Sequence, residues 1–388
     1  MIHCISEREG MNMEGFEKPR TKSLLDHFSE VEDFRASWRV AHPLPEILLL
    51  VVCATIASCD DFDDIAAWGE EHLPFLRRFL PYHHGVPCAR WLNILMNRIN
   101  PDLFSECFMA WATSLQNQTP KQIAFDGKTL RRSHDASAGK AALHLVSAFA
   151  THEKLVLGQE ATEEKSNEIT AIPALLEKLA AKGALVGALV TIDAMGCNPR
   201  VTQSILEHKA DYLIALKGNQ GDLQNDVELF LKDPPSPVET HTDCDKGHGR
   251  TETRTATVST DVAWLGREKF PDIATIARVD CVVEKKGKTT QERRFYIASR
   301  SLSAQNLLRA VRAHWQIENA LHWVLDVTFK DDLSRVRKGF GAKNMAVVRH
   351  FAINLVRNAK DKKSLKVRRK LAGWNPDYLA SLLVNPDS

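Results

Sequence analysis

The stretch "ALVGALVTIDAMG", residues 184–196, decides how this chain is read. It is almost wholly apolar, β-branched toward its end, and closed by Asp193 and Gly196, the pattern of a buried strand running into a turn. An acid at the end of such a strand is costly to bury unless it is paired or bound to a cation. Alone, Asp193 also reads as a helix cap before "NPRV". Upstream, "KQIAFDGKTL" (121–130) repeats the arrangement, an apolar run ending in Asp126 and Gly127, equally compatible with a simple turn. Between the two lie "AALHLVSAFATHEKLVLGQEAT", two strands joined at "THEK", and "NEITAIPALLEKLAAKG", a helix stopped at Gly183. Downstream come a helix in "NPRVTQSILEHKA", a strand in "DYLIALKGN" and a helix in "QGDLQNDVELFLKD". The order β-β-β-α-β-α-β-α predicts an α/β core on a mixed sheet. Such a sheet can set its first and fourth strands side by side, bringing Asp126 and Asp193 to one edge.

A third acid stands out in "RAVRAHWQIENALHWVLDVTFKDD" (309–332), where Glu318 lies between two His-Trp pairs. On an α-helix, Glu318 is one turn from His314 and one turn from His322. The cluster could be a zinc site, a carboxylate supplied to another metal, or a satisfied buried network. A rise of about 1.5 Å per residue separates the two histidines by about 12 Å. That is too far for one tetrahedral zinc that also takes Glu318. Together with Asp126 and Asp193 the set is rich in oxygen, which suits Mg²⁺ or Mn²⁺. Clustered carboxylates repel one another, and hard divalent cations relieve that repulsion. Asp326, Asp331 and Asp332 are the competing acids nearby, and Trp315 and Trp323 are expected in the core.

The 388 residues allow two or three domains and a substantial core. The net charge of +2 hides an asymmetry. Residues 24–80 hold eleven acids against four arginines, whereas residues 330–370 hold fourteen Lys/Arg against three aspartates. The basic end points to a polyanion partner or to a solvated tail. The longest apolar run, Ile47 to Cys59, is too short to cross a bilayer. Eight cysteines without a C-x-x-C pair argue against a zinc ribbon or a disulfide framework. No basic start leads into an apolar core, so no signal peptide is expected and the chain is placed in the cytosol. Residues 1–22 are expected to be a disordered lead. Residues 23–119 should form a helical domain, with helix-length patterns in "PEILLLVVCATIASC", "DDIAAWGEEHLPFLRRFL" and "PDLFSECFMAWATSL". The α/β core is assigned to 120–332. Within it, 238–300 are Thr-rich, alternating antiparallel strands with a hairpin at "KKGK". Residues 333–388 form a basic helical segment.

The blocks "DGKTLRRS", "EKSNEITAIPALLEKL", "TIDAMGCN", "YLIALKGNQGDL", "HGRTETR" and "RAHWQIENALHWVLDVTF" resemble those of the H-repeat-associated proteins. These are bacterial insertion-sequence transposases of the DDE class. The resemblance runs from about residue 24 to the C-terminus. It implies an RNase H-like mixed-sheet catalytic core with a β-rich insertion, a helical N-terminal domain and a basic helical C-terminal end. Asp126, Asp193 and Glu318 would then be the catalytic acids and the ligands of Mg²⁺ (or Mn²⁺). The implied activity is metal-dependent phosphodiester hydrolysis at element ends, followed by strand transfer to target DNA. The implied partners are those DNA segments and further copies of the chain on DNA, with no membrane and no small-molecule substrate, in the bacterial cytoplasm at the nucleoid. The broader class usually places Tyr seven and Arg four residues before the Glu and Lys seven after it; here those positions hold Val311, His314 and Leu325. Candidate DNA contacts are Lys128, Arg131, Arg132, Lys217, His248, Arg250, Arg312, His314, His322, Arg335 and Arg337. Two alternatives use the same fold: a transposon-derived DNA-binding protein without catalysis, and a structure-specific nuclease without strand transfer.

Overall fold

The computed structural model describes residues 23–116, 118–134, 139, 141–162, 168–247, 249–265 and 270–383. The expected lead at 1–22 and the candidate His248 lie outside them. The strands are β1 (Gln122–Thr129), β2 (His144–Ala150), β3 (Leu155–Thr162), β4 (Leu189–Ile192), β5 (Asp211–Leu216), β6 (Glu239–Gly247), β7 (Arg250–Ser259), β8 (Thr275–Lys285) and β9 (Lys288–Ala298). Helices α1 to α6 (Leu24–Ser29, Leu44–Ile56, Phe62–Glu71, Leu73–Leu76, Ala89–Met96, Pro101–Ser114) precede β1. Helices α7 (Glu168–Ala181), α8 (Pro199–Glu207) and α9 (Gly221–Lys232) alternate with β4 and β5. After β9 come α10 (Ala304–His314), α11 (Trp323–Val327), α12 (Gly341–Arg357), α13 (Leu365–Trp374) and α14 (Pro376–Leu383).

The strands form one sheet in the order β3-β2-β1-β4-β5-β9-β8-β7-β6. β1, β2 and β3 are antiparallel, and β4 and β5 run parallel to β1. Those five strands, with α7 and α8 as crossovers, are the expected RNase H-like arrangement. β9 joins β5 antiparallel, so the Thr-rich strands extend the core sheet directly. Strand β4 is shorter than its apolar run suggests. Gly187 takes φ +76°, a left-handed conformation open to glycine, and its N–H donates to the Lys209 carbonyl. The run therefore turns once before entering the sheet.

Packing follows from composition. Helix α2 is apolar on every side, and from Glu46 to Ile56 every residue is buried. Phe28, Phe104 and Phe108 surround Phe351 of α12 at ring distances of 5.2, 5.8 and 4.9 Å. The N-terminal helices and α12 thus share one hydrophobic cluster with the sheet. Asn354 satisfies both backbone groups of Val156, donating to its carbonyl at 2.9 Å and accepting from its N–H at 3.0 Å. This closes part of the exposed edge of β3. On the other half of the sheet, Leu307, Leu308 and Val311 of α10 pack over Val258, Val279 and Tyr296.

Candidate active site

The parallel pairing of β1 and β4 ends at Phe125 opposite Ile192, so Asp126 and Asp193 follow on neighbouring strands at one sheet edge. Asp126 does not terminate β1 as its sequence suggests. The strand continues to Thr129, held by antiparallel β2 after β4 has turned away. Asp193 Oδ1 accepts from the N–H groups of Met195 (3.0 Å) and Gly196 (3.3 Å), capping the 3₁₀ turn Ala194–Gly196. Cap and candidate acid are the same carboxylate, and the cap bonds orient it. Burial, then the neighbouring Asp126 carboxylate, holds the pKa of Asp193 above the usual carboxylate range, with Glu168 adding to the effect.

Glu318 approaches from a different direction. Helix α10, capped by Ser303, ends at His314, and the chain then widens into a π-helical segment, Ile317–His322, before α11. The α-spacing assumed for His314, Glu318 and His322 is therefore broken by the wider turn, a feature that recurs at functional sites. Ile317 and Leu321 are buried while Glu318 stays exposed. Its pKa is raised, first by partial loss of solvent, then by the Asp126 carboxylate; Asp193 adds to this, and His322 and Arg294 oppose it. Glu318 thus feels the charge of both strand-end carboxylates. His322 Nδ1 lies 3.4 Å from Asp126 Oδ2, and its Nε2 is buried without a hydrogen-bond partner. His314 Nδ1 meets Thr191 Oγ1 at 3.0 Å, and the same hydroxyl accepts from Gln122 Nε2 at 3.3 Å. Burial pushes the pKa of His314 down, which favours a neutral ring.

The donor set fits a hard divalent cation: oxygen ligands whose charges oppose one another until a cation is shared. As placed, no three His, Cys, Asp or Glu side chains among the described residues are gathered closely enough to hold one ion. Thr191, Asp193, Lys217, Arg294, His314 and Trp315 line a cavity of ≈ 490 Å³ beside the acids.

A fourth acid was missed in the sequence. Glu168, in the first turn of α7, is buried and its Oε1 lies 2.7 Å from His144 Nε2; the other ring nitrogen meets Thr129 Oγ1 at 2.8 Å. The pair nests against Gly127, where a Cβ would collide with Glu168 Oε1 and His144 Nε2. Gly127, read only as a turn residue, was the available signal.

The candidate DNA contacts separate into two groups. Lys217, Arg131, Arg132, Arg250 and Arg335 are exposed. Arg131 is 3.4 Å from Asp332 and Arg250 is 3.2 Å from Glu252, while Arg337 Nε donates to the Arg132 carbonyl. Lys128 and Arg312 do not present free cations, contrary to the sequence reading. Lys128 is enclosed by Asp326 (2.7 Å), Asp331 (2.7 Å) and Asp332 (3.5 Å), and Arg312 is paired with Asp243 and Asp245. Several residues of the basic end are also engaged internally. Arg349 pairs with buried Asp331 at 2.9 Å, Arg357 donates to Lys154 and Ala320 carbonyls, and Arg368 and Arg369 bond backbone carbonyls including Val356 and Thr55. Lys330 reaches Asp60 of the acidic N-terminal stretch. Trp323 is 59% exposed, not a core residue, and Trp315 lies under the Arg294 guanidinium at 4.6 Å. Among the described residues, no helix is long and apolar enough to cross a membrane.

An RNase H-like sheet with Asp126 and Asp193 on neighbouring strands, followed by a β-rich extension and the helical segment of Glu318, is the architecture of the DDE transposase class. The transposase DDE domain family matches residues 117–355, and the family described as DDE_Tnp_1-associated matches residues 25–112. The chain belongs to the transposase DDE domain family. It is 38% identical over 376 residues to the "H repeat-associated putative transposase YhhI" of Escherichia coli K12, covering 93% of this chain and 98% of that protein. "Putative protein YbfL" of the same strain is likewise 38% identical over 376 residues, with the same coverage. A cryo-EM structure of piggyBac transposase in a synaptic complex with hairpin DNA aligns over 93% of this chain and 77% of that chain, at 12% identity and a TM-score of 0.41.

Proposed function

We propose that this chain is a catalytically active DNA transposase that hydrolyses a phosphodiester at the ends of its own element and joins the freed 3′-hydroxyl to target DNA. The observation that carries this reading is the placement of Asp126 and Asp193 on neighbouring strands at one sheet edge, with Glu318 close enough for its pKa to be raised by both carboxylates. Divalent cations bound by these acids would supply Lewis-acid polarisation of the phosphate and a hydroxide nucleophile. The chain's own groups orient the reaction. The cap bonds to Met195 and Gly196 point the Asp193 carboxylate, and His322 faces Asp126. Exposed Lys217, Arg131, Arg132 and Arg335 offer positive charge to the strand. In the first step water adds to phosphorus and the 3′ oxygen leaves with a proton. In the second that hydroxyl attacks a target phosphate and expels a new 3′-hydroxyl. In this proposal the helices of 23–119 contact element ends, the protein acts as a homo-oligomer on DNA, and the reaction takes place in the cytoplasm.

The test is the purified chain with duplexes carrying its element's ends and Mg²⁺ or Mn²⁺. Cleaved and joined products are expected, and Glu318→Gln should lose both while still binding the ends. Cleavage without joining would favour a nuclease. End-binding without cleavage by the wild type would favour a DNA-binding protein. Full activity in Glu318→Gln would remove that residue from the site.

A further inference from the structure

The four strands β6 to β9 are matched in charge along their length and unmatched at their far end. Along the shaft, Arg254 pairs with Asp245 (3.2 Å), Arg278 and Arg293 with Asp280 (2.8 and 2.6 Å), and Arg294 with Glu292 (2.7 Å). At the tip, the register sets Arg250 of β7 opposite Lys285 of β8, and Lys285 opposite Lys288 of β9. Three cations therefore stand in one row across three strands. Lys286 occupies the β8–β9 turn, and Lys246 of β6 lies opposite Thr251. All five are exposed, and four of them, the lysines, are ion-paired with no described carboxylate. Like charges directly opposite one another on neighbouring strands are destabilising. Glu252 at 3.2 Å compensates Arg250, and the Lys285–Lys288 pair is left as a repulsion that no described ion pair relieves. The tip also surrounds an open cleft of ≈ 620 Å³, in which Glu284 is the one acidic lining residue.

The direction of this arm ties it to the candidate active site. Asp193 and Lys217 follow the carboxyl ends of parallel strands β4 and β5. Strand β9 is antiparallel to β5, and the last pair is Leu216 with Phe295. Residues 288–294 of β9 therefore run on beyond the carboxyl end of β5, toward the side where the acids lie. Seven residues at about 3.4 Å each carry the tip about 24 Å past the sheet. At an axial rise of about 3.4 Å, this is the length of about seven base pairs.

We propose that the row Arg250–Lys285–Lys288, with Lys286 in the adjoining turn, is a clamp for the phosphate backbone of duplex DNA, gripping it about seven base pairs from the reacting phosphodiester. The clamp rests on the transposase reading above and adds a second contact point to it. Phosphates along one groove edge would neutralise the row, and the absence of bulky apolar groups at the tip suits a backbone contact without base readout.

The experiment measures affinity of the full chain for a fluorescent duplex of arbitrary sequence across a salt series. The variant is Lys285→Gln/Lys286→Gln/Lys288→Gln. Each phosphate contact contributes about −0.9 to the slope of log K against log salt, so the triple variant should flatten it by about 2.7. Its thermal midpoint should hold or rise, because the cross-strand repulsion is gone; a purely structural role would lower it. If the triple variant fails to fold, Lys286→Gln, placed in the turn outside the ladder, should flatten the slope by about 0.9. Wild-type binding with an unchanged slope in the variants overturns the clamp and leaves the transposase reading standing. A wild-type chain that binds no duplex overturns both.

Discussion

Replacing Lys128 by Met should destabilise the protein far more than loss of a surface lysine. Its side chain is 11% exposed and its Nζ lies 2.7 Å from both Asp326 and Asp331 and 3.5 Å from Asp332. Asp331 is 4% exposed and is also paired with Arg349 at 2.9 Å. Burial alone would raise the Asp331 pKa, yet Arg349 and Lys128 hold it below the usual carboxylate value. Removing one partner of a buried ion pair costs about 3–5 kcal/mol, because the remaining charge has no water to return to. Arg349 still compensates Asp331, and Asp326 is 34% exposed and can rehydrate, so the low end, about 3 kcal/mol, is expected. Against a total stability of about 5–15 kcal/mol this is a large fraction. Urea unfolding followed by tryptophan fluorescence measures it. Lys128→Arg, which keeps the charge, should recover part of the loss, and Asp326→Asn in the Met background should recover some as well. A loss below about 1 kcal/mol for Lys128→Met would mean that the cluster behaves as a solvated surface pair, and the argument would fail. The cluster also ties β1, two residues past Asp126, to the chain just after the Glu318 segment, so the same variant should slow any cleavage.

Asp193→Asn keeps the oxygen that caps Met195 and Gly196, whereas Asp193→Ala loses it at a cost of about 1 kcal/mol. Because the folded-state pKa of Asp193 is raised, metal-free stability should fall as pH rises through the window between the usual carboxylate value and the raised one. Asn should remove that slope while abolishing cleavage; a persisting slope would assign it to another acid. His350 is buried and its pKa is pushed down to about 3, first by desolvation. The unfolded chain takes up this proton below about pH 6.5 and the folded chain does not, so this stability is present above that pH and is lost as pH falls toward 3. His350→Phe should flatten the acid limb in urea titrations at stepped pH, and an identical limb would exclude His350 as its source. Gly127→Ala should cost about 1–3 kcal/mol by forcing the His144–Glu168 pair off β1. An unchanged thermal midpoint would show that the pair yields freely.

The amino-acid sequence alone determined the order of elements, because strand and helix periodicities are local. It placed apolar runs before Asp126 and Asp193, the hairpin at Lys286–Gly287, and the buried helix around Ile47. The adjacency of β1 and β4 was one arrangement which that order allowed, and the fold adopts it. What the sequence could not show depends on partners distant along the chain. Lys128 looks like a phosphate contact beside Asp126 until the fold sets it against Asp331, 203 residues away. Arg369 looks like part of a basic tail until its guanidinium reaches the Thr55 carbonyl, 314 residues away. The α-periodicity assumed around Glu318 failed because the π-helical widening leaves no mark in residue spacing. Only the folded structure decided which charges face outward. A charge's partner is chosen by three-dimensional packing under the high cost of burying it alone, and that cost is set by neighbours that local sequence does not name.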